Sequence, residues 1–135
     1  MKATSSFTVD GWDPQPFDDQ ARAPEGVQLS RTRIAKTFSG DIEGTGVVQS
    51  VMAVAPQGSA GYVGIELIVA SVHGRSGSFV LQHAATADRG TQSGSWTIVP
   101  DSGTGELAGL SGTGEIIVTP EGDHTFILDY ELTTG

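Results

Sequence analysis

A carboxylate and an imidazole stand out from an apolar stretch in the middle of the chain. Residues 61–85 read GYVGIELIVASVHGRSGSFVLQHAA, and polar side chains interrupt this run at Glu66 and at Gln82-His83. A glutamate beside a histidine can act as a general acid and base, or bind the polar end of a ligand. Glu66 and His83 are therefore the catalytic candidates. The same pair can instead form an ion pair or hydrogen bond that fixes strand register, and both interpretations stay open.

The stretch predicts two long strands that fold back on a tight turn. Val, Ile, Leu and Phe are frequent in both arms, as in strands that are buried on at least one face. Gly74-Arg75 between the arms favours a two-residue type II′ turn. With that loop His73 pairs with Ser76, and Glu66 lies directly opposite His83.

The bulky face of the second arm predicts which way the polar pair points. Phe79 and Leu81 share this face with His83, and Trp96 continues it on the next strand. Large aromatic side chains belong in a protein interior, so we expect the histidine and Glu66 to point inward. The aromatic side chains can simply fill the interior, or they can contact a flat apolar ligand. The candidate ligand-binding residues are Glu66, Phe79, Leu81, His83, Trp96 and Tyr130.

The opposite face of the first arm is a row of large aliphatic side chains. If Glu66 points inward, strand alternation turns Val63, Ile65, Leu67 and Val69 outward. Such a row would be an unusual exposed patch on a monomer. We therefore expect a homo-oligomer, a dimer or trimer, in which a neighbouring subunit covers this face.

Composition excludes several functional classes. The net charge of −9 argues against nucleic acid and against anionic membranes, since no basic stripe is present. The chain has no cysteine, so it has no disulfide, thiol nucleophile or Cys-zinc site. The carboxylates do not have the spacing of a metal site, and we expect neither metal nor cofactor. No signal-peptide core or long apolar run is present, so we expect a cytoplasmic protein.

Strand patterns dominate the rest of the chain. Residues 106–110 leave open a half-strand, a bulge or a single helical turn, and no useful window has helical periodicity. Strands are predicted at residues 5–12, 27–39 and 42–54, in the two arms of 61–85, and at 93–99, 114–119 and 124–133. Eight strands joined mostly by short turns predict an antiparallel barrel or sandwich. Long strands containing glycines, 19 in the whole chain, favour the barrel. The predicted fold is one all-β domain, residues 1–135, an eight-stranded antiparallel β-barrel with little or no helix.

Three segments carry a resemblance to a known family. FVLQH at 79–83, SGTGELAGLSGTG at 102–114 and KTFSGDIEG at 36–44 resemble signature segments of a bacterial family of unknown function in the allene oxide cyclase barrel-like superfamily. GTGELAGLSG is also similar to a glycine-rich stretch of plant dirigent proteins. The resemblance implies an eight-stranded barrel with an interior pocket, often trimeric in its plant relatives. It implies no reaction and no catalytic residues.

Three functions are compatible with these observations. The first is a barrel that binds a small apolar or aromatic molecule in its interior. The second is a cofactor-independent isomerase or cyclase, in which an interior carboxylate or histidine moves a proton. The third is a ligand-free oligomeric structural or accessory protein. An interior cavity separates the third function from the other two, and a titratable group in that cavity favours the second.

Overall fold

Eight antiparallel strands close into a barrel in the computed structural model of the chain. The structure describes residues 1–133, so the last two residues of the predicted domain 1–135 lie outside the described residues. Each strand pairs with the next in sequence, and the last pairs with the first. The strands are β1 Lys2–Pro16, β2 Gln28–Gly40, β3 Ile42–Ala55, β4 Ser59–Val72, β5 Arg75–Asp88, β6 Thr91–Ile98, β7 Leu110–Val118 and β8 His124–Leu132. The predicted all-β barrel is confirmed.

Helical structure in residues 1–133 is confined to three single 3-10 turns, at Gln20–Arg22, Pro56–Gly58 and Gly105–Leu107. The last of them selects the helical turn among the alternatives for residues 106–110. Within residues 1–133 no helix has the length and apolar character needed to cross a membrane.

The core fills the barrel because alternate residues of each strand point inward. Aromatic rings pack within it, with Phe38 between Phe7 and Phe126 at centroid distances of 5.5 and 5.9 Å and with tilted ring planes. Phe79 and Leu81, two of the candidate ligand-binding residues, are fully buried in this core. Their burial therefore stabilises the barrel around the polar site.

The register of the β4–β5 hairpin differs from the predicted one. His73 and Gly74 form the loop, with φ angles of 49° and 82°, as a type I′ turn requires. Glu66 consequently pairs with Leu81, and His83 pairs with Gly64. The predicted type II′ turn and the predicted direct pairing of Glu66 with His83 are wrong. The error is two residues in pairing, so both side chains keep the same face of the sheet.

The outer face of β4 carries the predicted row of aliphatic side chains. Val63, Ile65, Leu67 and Val69 are between 49% and 57% exposed. On the strands beside them, Val51 pairs with Val63, and Val80 pairs with Leu67. These six side chains form the outer apolar face.

The strand pairings differ greatly in length around the barrel. β3 and β4 pair along their full lengths, from Ile42–Val72 to Ala55–Ser59. β6 and β7 are joined by the pairs Trp96–Gly114 and Thr97–Thr113. We call this short junction the β6–β7 seam.

Candidate functional site

A chain of polar side chains runs through the barrel from β2 to β6. Glu66 lies at its centre, and its Oε1 atom is 2.7 Å from His83 Nε2 and 3.4 Å from Lys36 Nζ. The three residues are 1%, 2% and 6% exposed, respectively. Gly64 is the residue paired with the histidine, so the glutamate reaches it diagonally across the β4–β5 pair. The structure thus brings together the two catalytic candidates and adds a buried lysine.

Burial and charge act in opposite directions on Lys36. Burial lowers the pKa of its amine from the ordinary value of 10.5, and the Glu66 carboxylate partly opposes that shift. The amine also lies 4.6 Å from the centroid of the Phe7 ring, within the range of a cation–π contact. This lysine is therefore part of the site and not a solvated surface residue.

Two aromatic donors approach the other nitrogen of His83. Trp96 Nε1 is 3.1 Å from His83 Nδ1, and the hydroxyl oxygen of Tyr62 is 3.2 Å from the same atom. An indole N–H can only donate, so Nδ1 must carry a lone pair. The proton of the neutral imidazole is then on Nε2, directed at Glu66 Oε1. Trp96 fixes the tautomer from the strand position directly opposite His83.

Tyr62 belongs to the site although the sequence analysis did not select it. Burial raises the pKa of its phenol, the nearby indole N–H of Trp96 opposes that shift, and the negative charge of Glu66 adds to it. Strand alternation contained the signal, because Tyr62 shares the inward face of β4 with Glu66. Lys36 likewise shares an inward face with Phe38 on β2.

The second carboxylate oxygen of Glu66 is held differently. Oε2 is buried and has no hydrogen-bond partner among the described residues. It lies against Gly46 of β3, where an ideal Cβ would stand 2.3 Å from it. Gly46 therefore provides the space that this oxygen occupies.

A cavity of about 650 Å³ opens at one end of the barrel, and we call it the mouth cavity. Trp96 and Tyr62 line it, whereas His83, Glu66 and Lys36 lie behind them. Its wall comes from the end of the barrel at which β4 and β6 start and β5 and β7 finish. Its other lining residues include apolar Met52, Ala85, Ile116 and Val118 and polar Thr86, Gln92 and Ser93. The mouth cavity thus has more apolar than polar surface and ends on two aromatic hydrogen-bond donors.

A second depression, of about 620 Å³, involves Phe17, Leu29, Val51, Val63 and Ala84. Strand alternation turns the side chains of Val51, Val63 and Ala84 away from the barrel interior, so this is an outer groove. It shares Tyr62 with the mouth cavity, but Trp96 does not line it. We therefore assign the candidate site to the mouth cavity, where both donors to His83 are present.

Tyr130, another candidate ligand-binding residue, lies apart from this site. Its hydroxyl forms a hydrogen bond with His73 in the β4–β5 turn, at the opposite end of β4 from Tyr62. Among residues 1–133, no group of three or more acidic or histidine side chains is arranged to hold a metal ion.

Comparison with known proteins identifies a family of unknown function. Residues 3–130 match the model of "Protein of unknown function (DUF3224)". A crystal structure of a protein with unknown function from this family, from Shewanella oneidensis MR-1, is 36% identical, with a TM-score of 0.92. The match covers 100% of this chain and 98% of that one. Comparison with curated proteins gives no match.

Proposed function

Because the chain belongs to the DUF3224 family of proteins of unknown function, we propose a function from the geometry of its own site: it binds a small apolar or aromatic molecule in the mouth cavity. One observation carries this proposal, a mainly apolar cavity of about 650 Å³ that ends on Trp96 and Tyr62. Ligand pockets are typically about 300–1,000 Å³ and combine apolar walls with a few placed polar groups. The resemblance to the allene oxide cyclase barrel-like superfamily supports the same location for a ligand.

Small residues create the space in the mouth cavity. An ideal Cβ on Gly94 would stand 2.8 Å from the ring of Trp96, and one on Gly114 would stand 2.5 Å from Phe126. Glycine at these two positions lets the aromatic rings lie close to the strands. The room in front of the rings then stays open.

Tryptophan fluorescence provides the test of binding. The chain has two tryptophans, so Trp12→Phe leaves Trp96 as the sole reporter in the wall of the cavity. We expect a panel of small aromatic molecules to include some that change Trp96 emission saturably and raise Tm. Ligand at about 100 times its Kd adds roughly 2.7 kcal/mol to the free energy of unfolding.

Two adjacent alanines separate the interior from the outer groove. Ala85→Leu fills the mouth cavity, and we expect it to abolish the fluorescence response. Ala84→Leu adds the same volume on the outer side of β5, in the outer groove, and should leave the response intact. The reverse pattern would assign the ligand to the outer groove. No saturable response from any molecule would contradict binding and favour the ligand-free accessory protein.

The hydrogen-bond chain favours a cofactor-independent isomerase as the second candidate. The Tyr62 oxygen can accept a proton from a substrate carbon while its own proton passes to His83 Nδ1, a step that requires the Trp96 indole to release that nitrogen. The imidazolium formed is stabilised by Glu66, 2.7 Å from Nε2. In D2O such a site would exchange the α-hydrogens of a bound carbonyl compound for deuterium, and Tyr62→Phe would abolish the exchange. Binding without exchange would leave the first function alone.

A further inference from the structure

The floor of the mouth cavity holds two hydrogen-bond donors for one acceptor. His83 Nδ1 has a single lone pair, and both Trp96 Nε1 and the Tyr62 hydroxyl lie within 3.2 Å of it. The other ring nitrogen is already engaged with Glu66. One lone pair can accept one good hydrogen bond, so the two donors compete for it.

The two donors differ in what they can do instead. The indole N–H has a fixed direction and is already 3.1 Å from Nδ1. The phenol O–H rotates about its C–O bond, so it can turn from His83 towards the cavity without any movement of the ring. When it does so, Trp96 alone satisfies Nδ1. An acceptor atom in the cavity is therefore supplied with a donor while every group of the floor stays hydrogen-bonded.

Charge restricts the kind of acceptor. The Glu66 carboxylate lies directly behind the floor, 2.7 Å from His83 Nε2. Burial and the charge of Glu66 raise the pKa of Tyr62, which keeps its hydroxyl protonated as a donor. The one cation of the polar chain, Lys36, is buried against Glu66. An anionic ligand would meet negative charge without a free cation at the floor.

From these contacts we propose that the mouth cavity selects ligands whose buried end is an uncharged hydrogen-bond acceptor, such as the carbonyl oxygen of a ketone or aldehyde on an apolar or aromatic body. The inference rests on the proposed function and specifies its ligand class. Tyr62 donates to the carbonyl oxygen, while Trp96 holds His83 in the Nε2-protonated form. The alanines and glycines of the cavity wall accommodate the apolar body.

Four naphthalenes of similar size provide the test, with affinities measured by calorimetry. They are 2-acetylnaphthalene, with a carbonyl; 2-ethylnaphthalene, with no polar group; 2-naphthoate, an anion; and 2-(aminomethyl)naphthalene, a cationic donor. We expect the acetyl compound to bind most tightly, several-fold to about tenfold more tightly than the ethyl compound, as one hydrogen bond allows. In Tyr62→Phe this preference should disappear, while binding of the ethyl compound should persist and show that the variant is folded.

The possible failures are distinguishable. Equal affinities of the acetyl and ethyl compounds for the wild type, tightest binding of either charged compound, or a preference that survives Tyr62→Phe would each overturn the inference and leave ligand binding in the cavity standing. If none of the four compounds binds, the inference is overturned. If the wider fluorescence panel also gives no response, the proposed function falls with it.

Discussion

A Cβ on Gly46 would stand 2.3 Å from Glu66 Oε2 and 2.9 Å from the Phe38 ring. A side chain at residue 46 on β3 would therefore overlap the Glu66 carboxylate on β4. Glu66 Oε2 has no hydrogen-bond partner among the described residues. Its position is set by packing against Gly46 and by the contacts of the other carboxylate oxygen, Oε1. The position of the carboxylate depends on the absence of a side chain at residue 46.

Gly46→Ala should therefore displace the Glu66 carboxylate and weaken its hydrogen bond with His83. Overpacking of a filled interior costs about 1–3 kcal/mol, and we expect a loss of stability in that range in urea unfolding. Gly61→Ala is the matched control, because the nearest atom to its added Cβ is 4.0 Å away. Equal midpoints for the two variants would show that the carboxylate relocates freely.

Replacing Lys36 alone should lower the free energy of unfolding more than replacing both partners of the ion pair. Lys36→Met leaves a buried carboxylate without its cation, and breaking a buried pair from one side costs about 3–5 kcal/mol. In Lys36→Met/Glu66→Gln the charge is gone from both partners, so this double variant should be more stable than Lys36→Met alone. A double-mutant cycle from denaturant unfolding measures the coupling. Additive effects would mean that the two groups do not interact.

Lys36 also predicts a pH dependence of stability. Its pKa is lowered in the folded protein by burial, from 10.5, so the unfolded chain binds more protons between the lowered pKa and 10.5. Stability linked to this group therefore rises with pH across that window, and its burial cost is fully present below it. The free energy of unfolding of the wild type, minus that of Lys36→Met, should increase as pH rises towards 10.0.

The phenol of Tyr62 sets the upper limit of that measurement. Its pKa is raised from 10.0, so the folded protein holds this proton longer than the unfolded chain and stability falls with pH above 10.0. The two groups act in opposite directions, and their ranges overlap between pH 10.0 and 10.5. The free energy of unfolding of the wild type, minus that of Lys36→Met, should rise with pH below 10.0. If it stays flat or decreases in that range, the lowered pKa of Lys36 is contradicted.

The imidazole of His83 should carry its proton on Nε2 and a lone pair on Nδ1, because the Trp96 N–H donates to Nδ1. Nitrogen-15 NMR distinguishes this tautomer from the Nδ1-protonated and doubly protonated rings, and His83→Gln identifies its signals among the three histidines. Trp96→Phe removes the indole donor and should shift the Nδ1 resonance. A doubly protonated ring in the wild type would be incompatible with a Trp96 N–H bond to Nδ1.

We propose that the outer apolar face mediates self-association. Ile65→Lys together with Leu67→Lys should dissociate the oligomer without loss of the barrel, because both side chains are about half exposed. Ile117→Lys, on β7 across the barrel, is the control and should leave association unchanged. Analytical ultracentrifugation measures the state of each. A wild type that sediments as a monomer at micromolar concentration would refute the proposal.

Strand alternation made the inward direction of Glu66 and His83 predictable, because side-chain direction repeats every two residues. The predicted inward direction was correct although the predicted turn type was wrong, because an error of two residues in pairing leaves the face of the strand unchanged. The same rule could have identified Tyr62 and Lys36.

Position along the barrel axis was harder to predict. Tyr130 and Trp96 both point inward, yet they lie at opposite ends of the barrel. Alternation gives the face of a side chain and says nothing of its depth. Depth depends on the stagger of all eight strands around the closed sheet, which no single hairpin determines.

Because of the β6–β7 seam, resistance to local opening differs around the barrel. Trp96 and Gly114, one of its two residue pairs, also line the mouth cavity. Among residues 1–133, the strand junction with the fewest residue pairs is therefore in the wall that a ligand would touch. Local opening follows the weakest connections of a structure. Amide hydrogens of β6 and β7 should accordingly exchange with solvent sooner than those of β3 and β4, and a bound ligand that bridges the two strands should slow that exchange.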